Sequence, residues 1–151
     1  MKKKFLLSYI PLLAFFFSIA CISQKETLEI SEDEKEIFEN GAEEPVEIAG
    51  DKTEYEITII EPGFNAWLQS IARPEGYYSQ SFLEGRNQLL VVNWNNRVNQ
   101  PQRFNPNLYQ MQINYSPHID YGYEVNYKLY NYFIFFQRRF NQRLSSFLPR
   151  I

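Results

Sequence analysis

Cys21 is the chain's one cysteine, so no disulfide can close within it, and a packed core has to supply the stability. His118 is likewise its one histidine. Zinc motifs of the usual spacing need several His or Cys ligands and are excluded. A Ser–His–Asp arrangement has only His118 as base, and no serine lies in a nucleophile-elbow context. The six glycines sit singly, in turn signals such as Pro62-Gly63 and Arg73-Pro74-Glu75-Gly76, so no glycine-rich loop cradles a phosphate. Nor is there an internal repeat. The longest apolar run covers residues 5–20, whereas a spanning helix wants about 20 apolar residues. A permanent transmembrane anchor is the weaker reading.

That run follows Lys2, Lys3 and Lys4 and ends in small residues, the layout of a secretory signal over residues 1–20. Ser18-Ile19-Ala20-Cys21 resembles the lipobox of bacterial lipoproteins, whose cysteine takes a diacylglyceryl group before cleavage. The resemblance implies lipid attachment at Cys21, with palmitate or similar chains as the membrane contact. Ser18 departs from the motif, which prefers Leu there. Cleavage by an ordinary signal peptidase before Cys21 is the alternative. Gln24-Lys25-Glu26 resembles the tags that send some Bacteroidota lipoproteins to the cell surface. The expected address is the envelope, lipid-anchored at the outer membrane, with its face left open.

Residues 21–54 read as a lipidated cysteine followed by an acidic, flexible tether. Between residues 22 and 54 twelve acids face only Lys25, Lys35 and Lys52, and within that stretch Phe38 is the one aromatic residue. Such a segment buries too little apolar surface to offset its ordering entropy. As a coil it would span about 30 Å. Ser31 and Glu34 fit a capping box, which predicts a short helix stopped at Asn40-Gly41.

Residues 55–151 read as one α+β domain: a small sheet of two or three strands, about three helices packed on it, and the C-terminal helix the longest. Residues 55–60 alternate as a strand. Phe64, Trp67, Leu68 and Ile71 mark a short helix over residues 64–72. A second helix follows Ser81 and Glu84, with Phe82, Leu83, Leu90, Trp94 and Val98 on one face; residues 89–92 also suit a strand. Residues 108–115 alternate as another strand, with Tyr109, Met111, Ile113 and Tyr115 facing one way. Asp120 is placed to cap the last helix, about residues 123–144, along the stripe Leu129, Phe133, Phe136, Phe140 and Leu144.

No cofactor is implied. Beside Asp120 and Glu124, His118 is a weak candidate for a metal site. Glu75, Glu84, Asp120 and Glu124 are the carboxylates from which a glycan hydrolase would draw its pair, although four acids in a domain supply such pairs by chance, and solvated, capping or ion-paired carboxylates are the ordinary reading. No catalytic residue is assigned. Tyr, Trp and Arg often anchor interfaces, which singles out Arg73, Tyr77, Tyr78, Trp94, Arg97, Arg138 and Arg139 as a candidate binding surface. The ordinary alternative makes the aromatics core and the arginines a wet helix face. Lipid headgroups, glycans or envelope proteins fit such a surface in an exported protein, and nucleic acid is not expected.

Glu61-Pro62-Gly63-Phe64, Tyr77-Tyr78-Ser79-Gln80-Ser81, Trp94-Asn95, Gln102-Arg103-Phe104-Asn105-Pro106-Asn107-Leu108-Tyr109 and Asp120-Tyr121-Gly122-Tyr123-Glu124-Val125-Asn126-Tyr127 together resemble a small Bacteroidota lipoprotein family, domain-of-unknown-function family 6146. The resemblance covers the chain from about Tyr55 onward. It implies an envelope address with no assigned activity, and it carries over no functional residue beyond Cys21. The expected function is a tethered, non-catalytic binding or structural module, with a glycan hydrolase or a metal-binding domain as the alternative.

Overall fold

In a computed structural model, residues 28–42, 46–49, 56–147 and 151 are described. The leader, Cys21, the 24–26 tag and the expected boundary at residues 54 and 55 lie outside them. The elements are α1 (Glu32–Asn40), β1 (Val46–Ala49), β2 (Glu56–Ile59), α2 (Phe64–Ser70), α3 (Gln80–Val98) and α4 (Gly122–Arg139).

The α+β expectation is overturned, because the body is helical. Among the described residues the only strands are β1 and β2, a four-residue antiparallel ribbon pairing Val46 with Ile59 and Ala49 with Glu56. That ribbon lies beside α4, and no sheet carries the helices. Among the described residues the longest helix is α3, at 19 residues against 18 for α4.

The reason lies in α4. Twelve of its eighteen residues are buried, from Val125 to Arg138. The expected one-sided stripe is real at Leu129, Phe133 and Phe136, but Tyr127, Tyr130, Ile134 and Phe135 are buried too. Tyr and Phe on every side of this helix mark a central element wrapped by others, not strand propensity. The helix ends at Arg139, earlier than its stripe. Asn141 then takes a left-handed φ of 47°, and Leu144 folds back so that its N–H reaches Gln137 Oε1 at 2.8 Å.

Helix α3 lies against α4 through Leu83, Leu90, Val91 and Trp94, all buried. It runs unbroken through residues 89–92, which settles the helix–strand ambiguity as helix. Its cap is Ser79, which accepts from Phe82 N–H, two residues before the expected Ser81.

Residues 108–116 return along α3 as a strap. The strand expected there is absent: the segment opens in a turn and bends, has no strand partner among the described residues, and side chains of α3 take that part. Asn95 accepts from Ile113 N–H at 2.8 Å and donates to Ile113 C=O at 2.9 Å, while the Trp94 indole donates to Met111 C=O. An amide side chain that satisfies both groups of one residue offsets the cost of stripping them of water. The expected common face also fails, since Tyr109 is buried and Met111 is 73% exposed.

Helix α1 forms as its capping box predicts, with Ser31 and Glu34 bonding reciprocally. It docks on the body where Gly41 meets Gly63. A Cβ on Gly41 would lie 2.3 Å from Gly63 Cα, and Gly63 sits at φ +80°, so this crossing needs glycine on both sides.

Candidate functional site

Two of the four candidate carboxylates come together. Asp120 sits just before α4 and accepts from Gly122 N–H at 2.9 Å, the cap-like role expected of it. Gln80, in the first turn of α3, donates one amide nitrogen to Asp120 Oδ1 and to Glu84 Oε1, at 2.8 Å each. The two oxygens are thus separated by no more than two hydrogen-bond lengths. They open into a cleft of about 430 Å³, lined by Ser81, Glu84, Gln88, Tyr115, His118 and Asp120.

Behind this cleft lies a buried polar layer. The Tyr115 hydroxyl donates to Asn126 Oδ1 at 2.7 Å, and the same oxygen accepts from Asn87. Burial, with Glu84 and Tyr121 adding to it, pushes the Tyr115 phenol up to about 12. Among the described residues Asn87 Oδ1 is the one buried side-chain atom with no hydrogen-bond partner.

The other carboxylates stand apart. Glu124 is paired with Lys128 at 2.6 Å, and Glu75 is on an exposed turn. His118 is exposed and lines the cleft near Asp120, but Glu124 is engaged elsewhere. Among the described residues no group of three or more His, Cys, Asp or Glu is arranged to hold a metal ion.

The seven candidate surface residues do not share a face. Arg73, Tyr77 and Tyr78 do cluster: the Arg73 guanidinium is 5.1 Å from the Tyr77 ring centre, and the two tyrosine rings meet edge-on at 4.7 Å. This loop is fixed to α4, since Tyr127 donates to Arg73 C=O and Gly76 N–H donates to Tyr123 Oη. Trp94 is core, 5% exposed. Arg97 is half-buried at the other end of α3, bonded to Tyr109 Oη and Arg143 C=O. Arg139 bonds Pro62 C=O and lies 3.6 Å from Glu61.

Arg138 is not a surface residue. It is buried and forms an ion pair with Glu34, which has no exposed surface. The guanidinium meets both carboxylate oxygens and also donates to Glu29 C=O, while the Trp67 indole donates to Glu34 Oε1 at 3.0 Å. Sequence reasoning missed this junction by giving Glu34 only a capping role within a segment read as a solvated tether. The available signal was Ile37-Phe38, an apolar pair one turn after a capping box in an otherwise charged helix.

A second concavity, about 390 Å³, lies between β2 and the strap. Ile60, Glu61, Trp94, Met111, Ile113 and Tyr132 line it, with Ile60 and Met111 exposed at its lips. Burial raises Glu61, against the opposing pull of Arg139.

By architecture this is a small helical domain with an acidic cleft at one end of its central helix pair and an apolar groove on its flank. The chain belongs to a family of unknown function, DUF6146, whose model matches residues 9–148. Comparison with curated proteins gave no match, and comparison with solved structures gave none. Among the described residues no helix is long and apolar enough to cross a membrane.

Proposed function

We propose that the chain is an exported lipoprotein of the Bacteroidota envelope, held at the outer membrane by acyl chains on Cys21, and that its domain is a non-catalytic binding module for an envelope protein or glycan. One observation carries this reading: the sole thiol directly follows Ala20, at the end of a basic and then apolar leader. The family model begins at residue 9, inside that leader, and continues through Cys21 into the domain. Two or three acyl chains, at about 0.8 kcal/mol per buried methylene, hold a protein to a membrane almost irreversibly. Cells fed an alkyne-tagged palmitate analogue are expected to label the wild-type protein and not Cys21→Ser. The unlabelled variant should leave the detergent phase for the aqueous one. Undiminished label on Cys21→Ser would overturn the anchor.

The meeting of Glu84 and Asp120 favours a second reading, a glycan hydrolase. The binding reading accounts for the pair better. A general-acid carboxyl needs an apolar pocket to hold its proton, and here Asp120 is exposed and both groups accept from one neutral amide. Purified protein is therefore expected to release no reducing ends from envelope polysaccharide. Release that disappears in both Glu84→Gln and Asp120→Asn would replace the binding reading with the hydrolase.

A further inference from the structure

Helix α1 is fastened differently from α2, α3 and α4. Among the described residues, eighteen hydrophobic side chains are buried, and none of them belongs to α1. Its one fully buried residue is a carboxylate, Glu34. Ile37 and Phe38 are only partly covered, Phe38 meeting the Phe135 ring edge-on at 5.5 Å. The outward side carries Glu32, Asp33, Glu36 and Glu39, all exposed, with only Lys35 opposing them. A helix of nine residues has almost no stability of its own in water. Its order therefore comes from docking: beside the Gly41–Gly63 crossing and the partly covered Ile37 and Phe38, the one fully buried contact is the ionic junction of Glu34 with Arg138.

We infer that α1 is a releasable strap latched by Glu34, which detaches as a unit when that carboxylate is lost while the α3–α4 body stays folded. From α4 the group that faces Glu34 is Arg138, from α2 the neutral indole of Trp67, and from its own turn Ser31. Removing one partner of such a pair leaves the other charge buried and alone, which is far costlier than never having built the pair. Arg138 can regain water only if the strap moves off. The body keeps its own core, since Leu83, Leu90, Trp94, Phe133 and Phe136 pack without α1. Opening of this kind is local unfolding, and it ranks below the global transition. Released, residues 28–42 would add on the order of 50 Å of reach at full extension. Only this last consequence rests on the proposed anchor at Cys21.

Amide exchange read by mass spectrometry on the full-length protein in detergent tests the latch. Glu34→Gln is expected to speed exchange across residues 32–40 by about 100-fold and to leave residues 122–139 unchanged. Ser31→Ala, which only weakens the capping box, should speed the same amides about 5-fold, and it keeps the test open if Glu34→Gln fails to fold. Exchange in α1 that is unmoved by either substitution would overturn the inference. So would acceleration of α4 to the same degree as α1, since strap and body would then be one cooperative unit. Loss of lipid from Cys21→Ser bears on neither result.

Discussion

Replacing Phe135 by alanine is expected to lower the stability of the domain by about 3–5 kcal/mol, the usual cost of deleting a buried phenylalanine ring. The ring has no exposed surface. It makes edge contacts with Phe38 of α1, Phe64 of α2 and Trp67 of α2, at 5.5, 5.4 and 5.8 Å between centres. One side chain of α4 thus joins three helices, and each aromatic pair adds about 0.5–1.5 kcal/mol beyond its burial. Neighbours fixed by their own contacts cannot collapse into the space, so the cavity persists. Against a total stability of about 5–15 kcal/mol, the loss should lower the melting temperature by at least about 12 °C. Leu89→Ala supplies the contrast. Leu89 is 52% exposed on α3, and its loss should stay within about 0.5 kcal/mol. Guanidinium chloride unfolding of both variants checks the pair, and equal midpoints would mean that Phe135 is not at the centre of the core.

Phe135 also shows where sequence reasoning stopped. The stripe from Leu129 to Phe136 was legible because its spacing repeats, and it placed α4 correctly as a helix. Phe135 lies off that stripe, and periodicity assigns such a residue to solvent. A helix covered on several sides has no single period to read. The strap failed for a related reason. Alternation over residues 108–115 is what a strand shows, but alternation alone names no pairing partner. Here the partner is the side chain of Asn95, whose place in the sequence says nothing of Ile113. Of the candidate site, the pairing of Glu84 with Asp120 was visible only as a set of four acids. Gln80, which joins them, is an ordinary polar residue until α3 and the 116–121 turn are set side by side. The Glu34–Arg138 pair spans more than a hundred positions, and both members looked solvated because charges usually are.

Raising the pH should unfold the domain cooperatively between about 10 and 12, driven by tyrosines that the fold keeps protonated. Burial pushes Tyr130 up to about 12, Tyr78 adding to it and Arg86 opposing it. Burial takes Tyr115 to about 12 as well. Tyr109, Tyr127 and Tyr132 are raised too, again chiefly by burial, with Arg97 pulling Tyr109 back and Glu61 pushing Tyr132 further. The sign follows from proton counting. An unfolded phenol releases its proton near pH 10, while these hold theirs higher, so between the two values the native state binds more protons. The stability they lend is whole below pH 10 and is lost as pH climbs toward the folded values. A tenfold difference in proton affinity between folded and unfolded chain is worth about 1.4 kcal/mol, so the buried Tyr130 costs the native state a few kcal/mol by pH 12, and Tyr115, whose side chain lines the open cleft and is screened by water, costs less. That sum is a large share of what a domain of this size possesses. Tyrosinate absorbance should therefore rise steeply, in step with loss of the helical circular-dichroism signal, and Tyr130→Phe should move the transition to higher pH. A gradual absorbance rise centred near pH 10 with helicity intact would show that these phenols meet water in the folded protein, and the core drawn around α4 would then be wrong.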